Sequence, residues 1–297
     1  MDASPAGGAG ARAAALPDAV AVAAKYDRLR AVLGALNRTL VAFSGGVDSS
    51  FLLRAAHEAL GDRVVALTTV SPTNPEEDTA TAIALAERLG VEHVVIEADE
   101  LAIPSYAANP VNRCYFCKDA LYAICAAHAR ERGIATIVDG VNADDLQDYR
   151  PGLRAAEEHG TRHPLVEVGL TKAEIRMLSR RLGLPTWDKP ASPCLSSRFP
   201  YGTEITHERL RMVAAAEAAV RAHGFREVRV RFHGDVARIE VPAAMLSRFA
   251  DPGLRAAIAA GVRAAGFRHV TLDLEGFRSG SLNAHLPARA GEAFRGS

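Results

Sequence analysis

The chain has 297 residues, 48% of them apolar and 24% charged, enough for one large or two medium globular domains with a substantial core. Its 35 basic and 35 acidic side chains cancel, and four cysteines are too few and too uneven for an exported disulfide scaffold. With no run near the roughly 18 apolar residues of a membrane span, the expectation is a soluble cytoplasmic protein with neither nucleic acid nor membrane as partner.

Residues 1–17, rich in alanine and glycine, read as a disordered leader that lacks the basic and apolar regions of a signal peptide. A helix is expected over 19–35 and a short apolar strand over 40–43. The strand runs into Ser44-Gly45-Gly46-Val47-Asp48-Ser49-Ser50, after which an amphipathic helix begins. A glycine-containing turn at a helix N-terminus suits phosphate: first-turn N–H groups point outward, the helix dipole favours negative charge, and glycine lets oxygens approach closely. Asp48 adds a carboxylate for a magnesium ion, and Ser44, Ser49 and Ser50 add hydroxyls. No lysine follows the glycines as a Walker A loop requires.

Apolar runs at 64–70, 91–96 and 135–139 read as buried parallel strands, with helices at 75–89 and 115–132 between them. The class is α/β, a doubly wound, mostly parallel sheet. Its ligand crevice would gather the loops 44–50, 71–74 and 140–145, where Asp144, Asp145 and Asp148 offer carboxylates for metal or nucleotide, or simply cap a helix. A helix over 171–182 leads to LPTWDKPASPCLSSRFPYGTEIT, whose prolines at 185, 190, 193 and 200 forbid a long helix. From 206 the pattern reads helix (207–223), strands (226–232 and 236–241), a helix over 243–265 broken near Pro252, and a strand (269–274). These predict a smaller α+β domain, with boundaries at 18–203 and 204–297.

Cys194 stands in that proline-framed loop beside Lys189 and Arg198, cations that would lower its pKa and favour a nucleophile. Arg229 and Arg231 alternate with apolar residues and share a strand face. Arg238 and Glu240 share a face of the next strand, so a hairpin through His233-Gly234-Asp235 would gather them. Such a face suits an anion, although taken alone the pattern favours a solvated charged face, and only an anionic substrate tips the balance. Cys114 and Cys117 form a single C-x-x-C, short of the four ligands of a closed zinc site.

The SGGVDSS loop resembles that of the N-type ATP pyrophosphatases, which adenylate a substrate and release pyrophosphate. Together with NRCYFCK at 112–118, GVNADDLQDYRPG at 140–152, WDKPASPCLSSRFPYGTEIT at 187–206, RVRFHGDVARIE at 229–240 and LDLEGFRSGSLN at 272–283, it makes the chain resemble the ATP-dependent sacrificial sulfur transferases that help build the nickel-pincer nucleotide of lactate racemase. The resemblance implies ATP and Mg2+, with Ser44, Gly45, Gly46, Asp48, Ser49 and Ser50 at the nucleotide and Asp48 and Asp144 at the metal. It implies a pyridinium biscarboxylate mononucleotide as substrate, with Arg229 and Arg231 near its phosphate, Arg198, Glu217, Glu240 and Tyr115 as further binding candidates, and Cys194 as the sulfur donor that becomes dehydroalanine. Glu217 reads more readily as a solvated helix residue, and Tyr115 and Trp187 equally as core or as ring-stacking platforms. A homo-oligomer is implied as well. Alternatives are a cluster-dependent thiolation with Cys114, Cys117 and Cys194 as ligands, an amide synthetase, a tRNA thiolase and an ATP-sensing regulator without chemistry.

Overall fold

A computed structural model describes residues 17–147, 151–190, 193–278 and 282. Most of the expected leader, Asp148, Ser192 and the end of the 272–283 motif lie outside those residues. After α1 (Ala19–Gly34) the chain alternates as β1 (Thr39–Ala42), α2 (Val47–Leu60), β2 (Val64–Val70), α3 (Glu76–Leu89) and β3 (Glu92–Glu97). A short α4 (Pro104–Ala107) and a long α5 (Arg113–Glu131) lead to β4 (Thr136–Asp139), followed by α6 (Pro151–Glu158), α7 (Pro164–Glu167) and α8 (Lys172–Arg181). Helices α6 and α7 were not legible in the sequence, because each is too short to show a helical period.

The four strands form one parallel sheet in the order β3-β2-β1-β4. Thr39 is in register with Val64 on one side and with Thr136 on the other. Beyond β1 the order reverses, and the crevice of a doubly wound sheet opens there, at the strand C-termini. Strand periodicity divides the core: Val41 packs with α1, α2 and α8 through Leu29, Phe51 and Ile175, and Leu40 packs with α5 and α6 through Tyr122 and Ala155.

A second sheet, in the order β5-β6-β7, follows α9 (His207–Arg221). Strands β5 (Arg229–His233) and β6 (Val236–Glu240) form the expected antiparallel hairpin, with Gly234 at φ +64° in its turn. Strand β7 (His269–Leu272) joins β6 in parallel after α10 (Pro252–Ala264). The break expected near Pro252 is present: Ala243–Ala250 is a 3₁₀ segment, and Asp251 caps α10 by accepting from Gly253 and Leu254 N–H. Leu195 and Phe199, from the proline-rich loop, share the core of this lobe with Val213, Val230 and Ile239. Among the described residues no helix is long and apolar enough to cross a membrane.

Candidate functional site

The chain turns from β1 into α2 through Gly45, at φ +69°, where a Cβ would stand 2.7 Å from the Asp78 carbonyl oxygen. Conformation and space both require glycine there. Gly46 N-caps α2 with extended backbone and no side-chain cap bond. The first-turn N–H groups therefore have no acceptor within the helix and present the positive end of its dipole. Ser44 and Ser49 bond through their hydroxyls at 3.0 Å. Lys189 holds the loop from the other side, donating to the Gly45 carbonyl at 3.1 Å and pairing with Asp78 at 2.8 Å. Gly140, after β4, lets that turn approach: a Cβ on it would sit 2.7 Å from Ser49 N.

Ser44, Gly46, Asp48 and Ser49 line a cavity of about 360 Å³, within the range of small-molecule sites. Its other walls include Thr68 and Asn74, Glu100, Cys117, Lys118, Asp139 and Cys194. Ser50, fully buried, is not on that lining. Asp48 pairs with the Lys172 ammonium, and Asp144 accepts from the Lys172 backbone N–H at 2.8 Å. Burial pushes the Asp48 carboxyl up, against the opposing pull of Lys172. Its Oδ1 is buried without a partner among the described residues, an atom suited to a hard cation.

Cys194 is half-buried, and five backbone contacts hold its loop. Arg198 donates to the carbonyls of Pro193 (2.7 Å) and Cys194 (3.2 Å), Leu195 N–H to Thr73 O (2.8 Å), Arg113 to Ser196 O (3.0 Å) and Arg231 to Ser197 O (2.7 Å). The two cations expected beside the thiol are therefore spent elsewhere, Lys189 on the glycine loop and Arg198 on the backbone. Sequence reasoning missed Arg113. It is 3% exposed, its other described acceptor is the neutral Asn109 side chain, and its Nε has no partner among the described residues. Burial alone would depress this guanidinium, but Cys194, Cys114, Tyr106 and Tyr201 together outweigh burial and raise it. The signal was its place in the sequence, next to Cys114.

Cys117 shares the cavity wall with Cys194, and its thiol is pushed up to about 12 by burial first and then by Cys194 and Glu100. Cys114, exposed but in a concave, crowded setting, is raised by desolvation and by Cys194. The three cysteines are electrostatic neighbours, yet among the described residues no group of three or more His, Cys, Asp or Glu has the arrangement of a metal site.

Residues 25–136 match the NAD synthase family. The uncharacterized protein slr1717 of Synechocystis sp. is 47% identical over 262 residues, 88% of this chain and 98% of its own. The pyridinium-3,5-bisthiocarboxylic acid mononucleotide synthase of Lactiplantibacillus plantarum is 42% identical over 266 residues, 89% of this chain and 96% of its own. The chain belongs to this synthase family. The glutamine-hydrolyzing GMP synthase of Aeropyrum pernix is 30% identical over 200 residues, 61% of this chain and 39% of its own, in keeping with a shared nucleotide-handling sheet.

In this member of the synthase family the second lobe organises its charges behind Cys194. Glu217, read from sequence as a solvated helix residue, is instead fully buried: it takes Arg198 at 2.7 and 3.0 Å, Arg221 at 2.8 Å and the Val230 N–H at 3.0 Å. Arg231 pairs with Glu240 at 2.8 Å, and Arg238 reaches Glu240 at 3.3 Å and Asp273 at 2.8 Å. Arg229 differs, for its guanidinium lies 4.2 Å from the Phe277 ring centre and is pushed down to about 10 by burial and by Arg198 and Arg231. A cation destabilised in that way favours an anionic partner. Tyr115 donates to Glu158 at 2.6 Å and Trp187 lies under Arg180, and neither lines the cavity.

At the end of β4, Asp139 lines the cavity with its carboxylate tied to His163 Nδ1 at 2.7 Å and to the Tyr122 hydroxyl. Burial would raise Asp139, but the His163 hydrogen bond and charge hold it below its usual range, and His163 is raised in turn. A raised histidine contributes fully below its unfolded value of about 6.5, and that contribution fades as pH rises through the folded value. On the acid side the Asp139 share is lost as pH falls through its lowered folded value. Thermal unfolding of wild type against His163→Gln is expected to show its largest difference near about pH 6 and a smaller one by about pH 8.5. A difference constant across that span would contradict the pairing.

Proposed function

We propose that the protein adenylates a carboxylate of pyridinium-3,5-biscarboxylic acid mononucleotide with ATP and converts it to a thiocarboxylate with the sulfur of Cys194. The observation that carries this reading is that Cys194 and the phosphate loop line one cavity, in a chain 42% identical to a synthase of the bisthiocarboxylic mononucleotide. The substrate carboxylate attacks the α-phosphate of ATP and pyrophosphate leaves, with charge offset by the α2 N-terminus. Asp48 and Asp144 would hold Mg2+, which neutralises phosphate charge. The Cys194 sulfur then attacks the acyl carbon, AMP departs, and a thioester joins substrate to protein. Removal of the Cys194 Cα proton forms the Cα=Cβ bond and breaks Cβ–S, leaving dehydroalanine and a thiocarboxylate, so each chain acts once.

Arg229 is the cation for the substrate phosphate, framed by the Arg198–Glu217 and Arg231–Glu240 pairs. Residues 18–203 serve ATP, and 204–297 serve the substrate and the association of a homo-oligomer. The setting is the cytoplasm, and the product would feed a nickel-pincer nucleotide such as the lactate racemase cofactor. The proximity of Cys114, Cys117 and Cys194 favours one second reading, in which they ligate a cluster and the sulfur comes from outside the chain. Intact mass after incubation with ATP, magnesium and the biscarboxylate nucleotide separates the two. A chain lighter by the elements of H₂S, with the loss mapped to Cys194, supports the sacrificial reading. An unchanged mass with thiocarboxylate formed supports the cluster.

A further inference from the structure

The elimination that frees sulfur needs a base at the Cys194 Cα proton, and the carboxylates lining the cavity differ in their freedom to act as one. Asp48 is bonded to Lys172, Asp78 to Lys189, and Asp139 to His163. Asp145 accepts from the Asn142 N–H on the turn beside Asp48. Glu100, 7% exposed, receives only neutral donors among the described residues: the Ser71 hydroxyl at Oε2 and the Cys117 thiol, 3.9 Å away, at Oε1. A carboxylate bonded to a cation must give up an ion pair to accept a proton, whereas one held by a neutral hydroxyl gives up less.

The same contacts fix Glu100 relative to Cys194. Ser71 gives its proton to Glu100 and accepts from the Thr73 N–H at 3.0 Å and from the Thr73 hydroxyl at 2.8 Å. The Thr73 carbonyl in turn accepts the Leu195 N–H at 2.8 Å. Leu195 N belongs to the peptide bond on the carbonyl side of the Cys194 Cα, so two residues of one loop tie the carboxylate to the backbone that carries the proton. Cys117, on the same wall as Cys194, bounds the Oε1 side.

We propose that Glu100, through Oε1, is the general base that removes the Cys194 Cα proton from the thioester. The proton passes to Glu100, the C–H electron pair becomes the Cα=Cβ bond, and the Cβ–S pair leaves with the sulfur as the thiocarboxylate anion. Glu100 has no part in adenylation or thioester formation, and Ser71 is a positioning residue. This proposal rests on the sacrificial reading above.

Intact-mass time courses with ATP, magnesium and the biscarboxylate nucleotide test it in full-length wild type, Glu100→Gln, Glu100→Asp and Ser71→Ala. Wild type is expected to pass to the dehydroalanine chain. Glu100→Gln is expected to stall as a Cys194-linked adduct, released by hydroxylamine, with elimination slowed about 100-fold or more. Glu100→Asp keeps the carboxylate and recovers part of the rate, which separates base from scaffold should the glutamine variant fold poorly. Ser71→Ala is expected to slow elimination without changing the rate of thioester formation. Dehydroalanine from Glu100→Gln at the wild-type rate overturns the assignment, and so does an aspartate variant no faster than the glutamine one. Wild type that gives thiocarboxylate without dehydroalanine overturns the sacrificial reading itself, a result distinct from either variant outcome.

Discussion

Cys194→Ala is expected to lower thiocarboxylate formation by about 10⁴-fold or more, the scale on which loss of a covalent nucleophile acts. Pyrophosphate release with ATP and substrate should continue, because Ser44, Gly46, Asp48 and Ser49 belong to the β1–α2 turn, a separate segment from residue 194 on the cavity lining. The loop geometry makes this a clean substitution: among the described residues the contacts that hold residues 193–197 in place run through backbone groups, the Ser196 and Ser197 hydroxyls and the Leu195 side chain, not through the Cys194 thiol. Paired assays of pyrophosphate and thiocarboxylate decide it. Thiocarboxylate from the alanine variant would place the sulfur source outside residue 194, and loss of both products would give the side chain a part in adenylation.

Glu217→Ala is expected to cost about 3–5 kcal/mol, since it leaves the Arg198 guanidinium buried without its carboxylate. The Arg198 side chain is 3% exposed and that of Glu217 is 0% exposed, so water cannot replace the lost partner. Val230 N–H loses its acceptor as well. Against a typical stability of about 5–15 kcal/mol this is a large share. Urea unfolding measures it, and the double variant Arg198→Met/Glu217→Leu should recover much of the loss because no charge stays stranded. A cost below about 1 kcal/mol for the single change would mean that water enters the gap and solvates the Arg198 guanidinium.

Why one half of the site was legible and the other was not follows from the range of the interactions. The Ser44–Ser50 loop and the β1–β4 strands announce themselves within a few residues, by period and by glycine chemistry. Glu217 does not, since Arg198 lies 19 residues away and Val230 lies 13. A local signal did exist: Leu210, Val213, Glu217 and Val220 fall on one helical face, and the other three are core residues. A lone carboxylate on an apolar stripe is a buried one with partners. Arg231 shares a strand face with Arg229 as expected, but the hairpin register sets Glu240 opposite Arg229, and only the side-chain contacts show that Glu240 pairs diagonally with Arg231 and leaves Phe277 to Arg229. Arg113 was overshadowed by the cysteines that follow it, Cys114 and Cys117, and Glu100 by the absence of any motif around it.

The anchoring of residues 193–197 through groups other than the Cys194 thiol has a consequence for a population of molecules. A chain that has given up its sulfur as proposed keeps every contact that shapes the loop, so spent and fresh molecules differ by one side chain and share the same nucleotide cleft. Spent copies would therefore continue to capture ATP and substrate without product. Yield would then depend on the ratio of new synthesis to accumulated remnants, and output would plateau before substrate is exhausted.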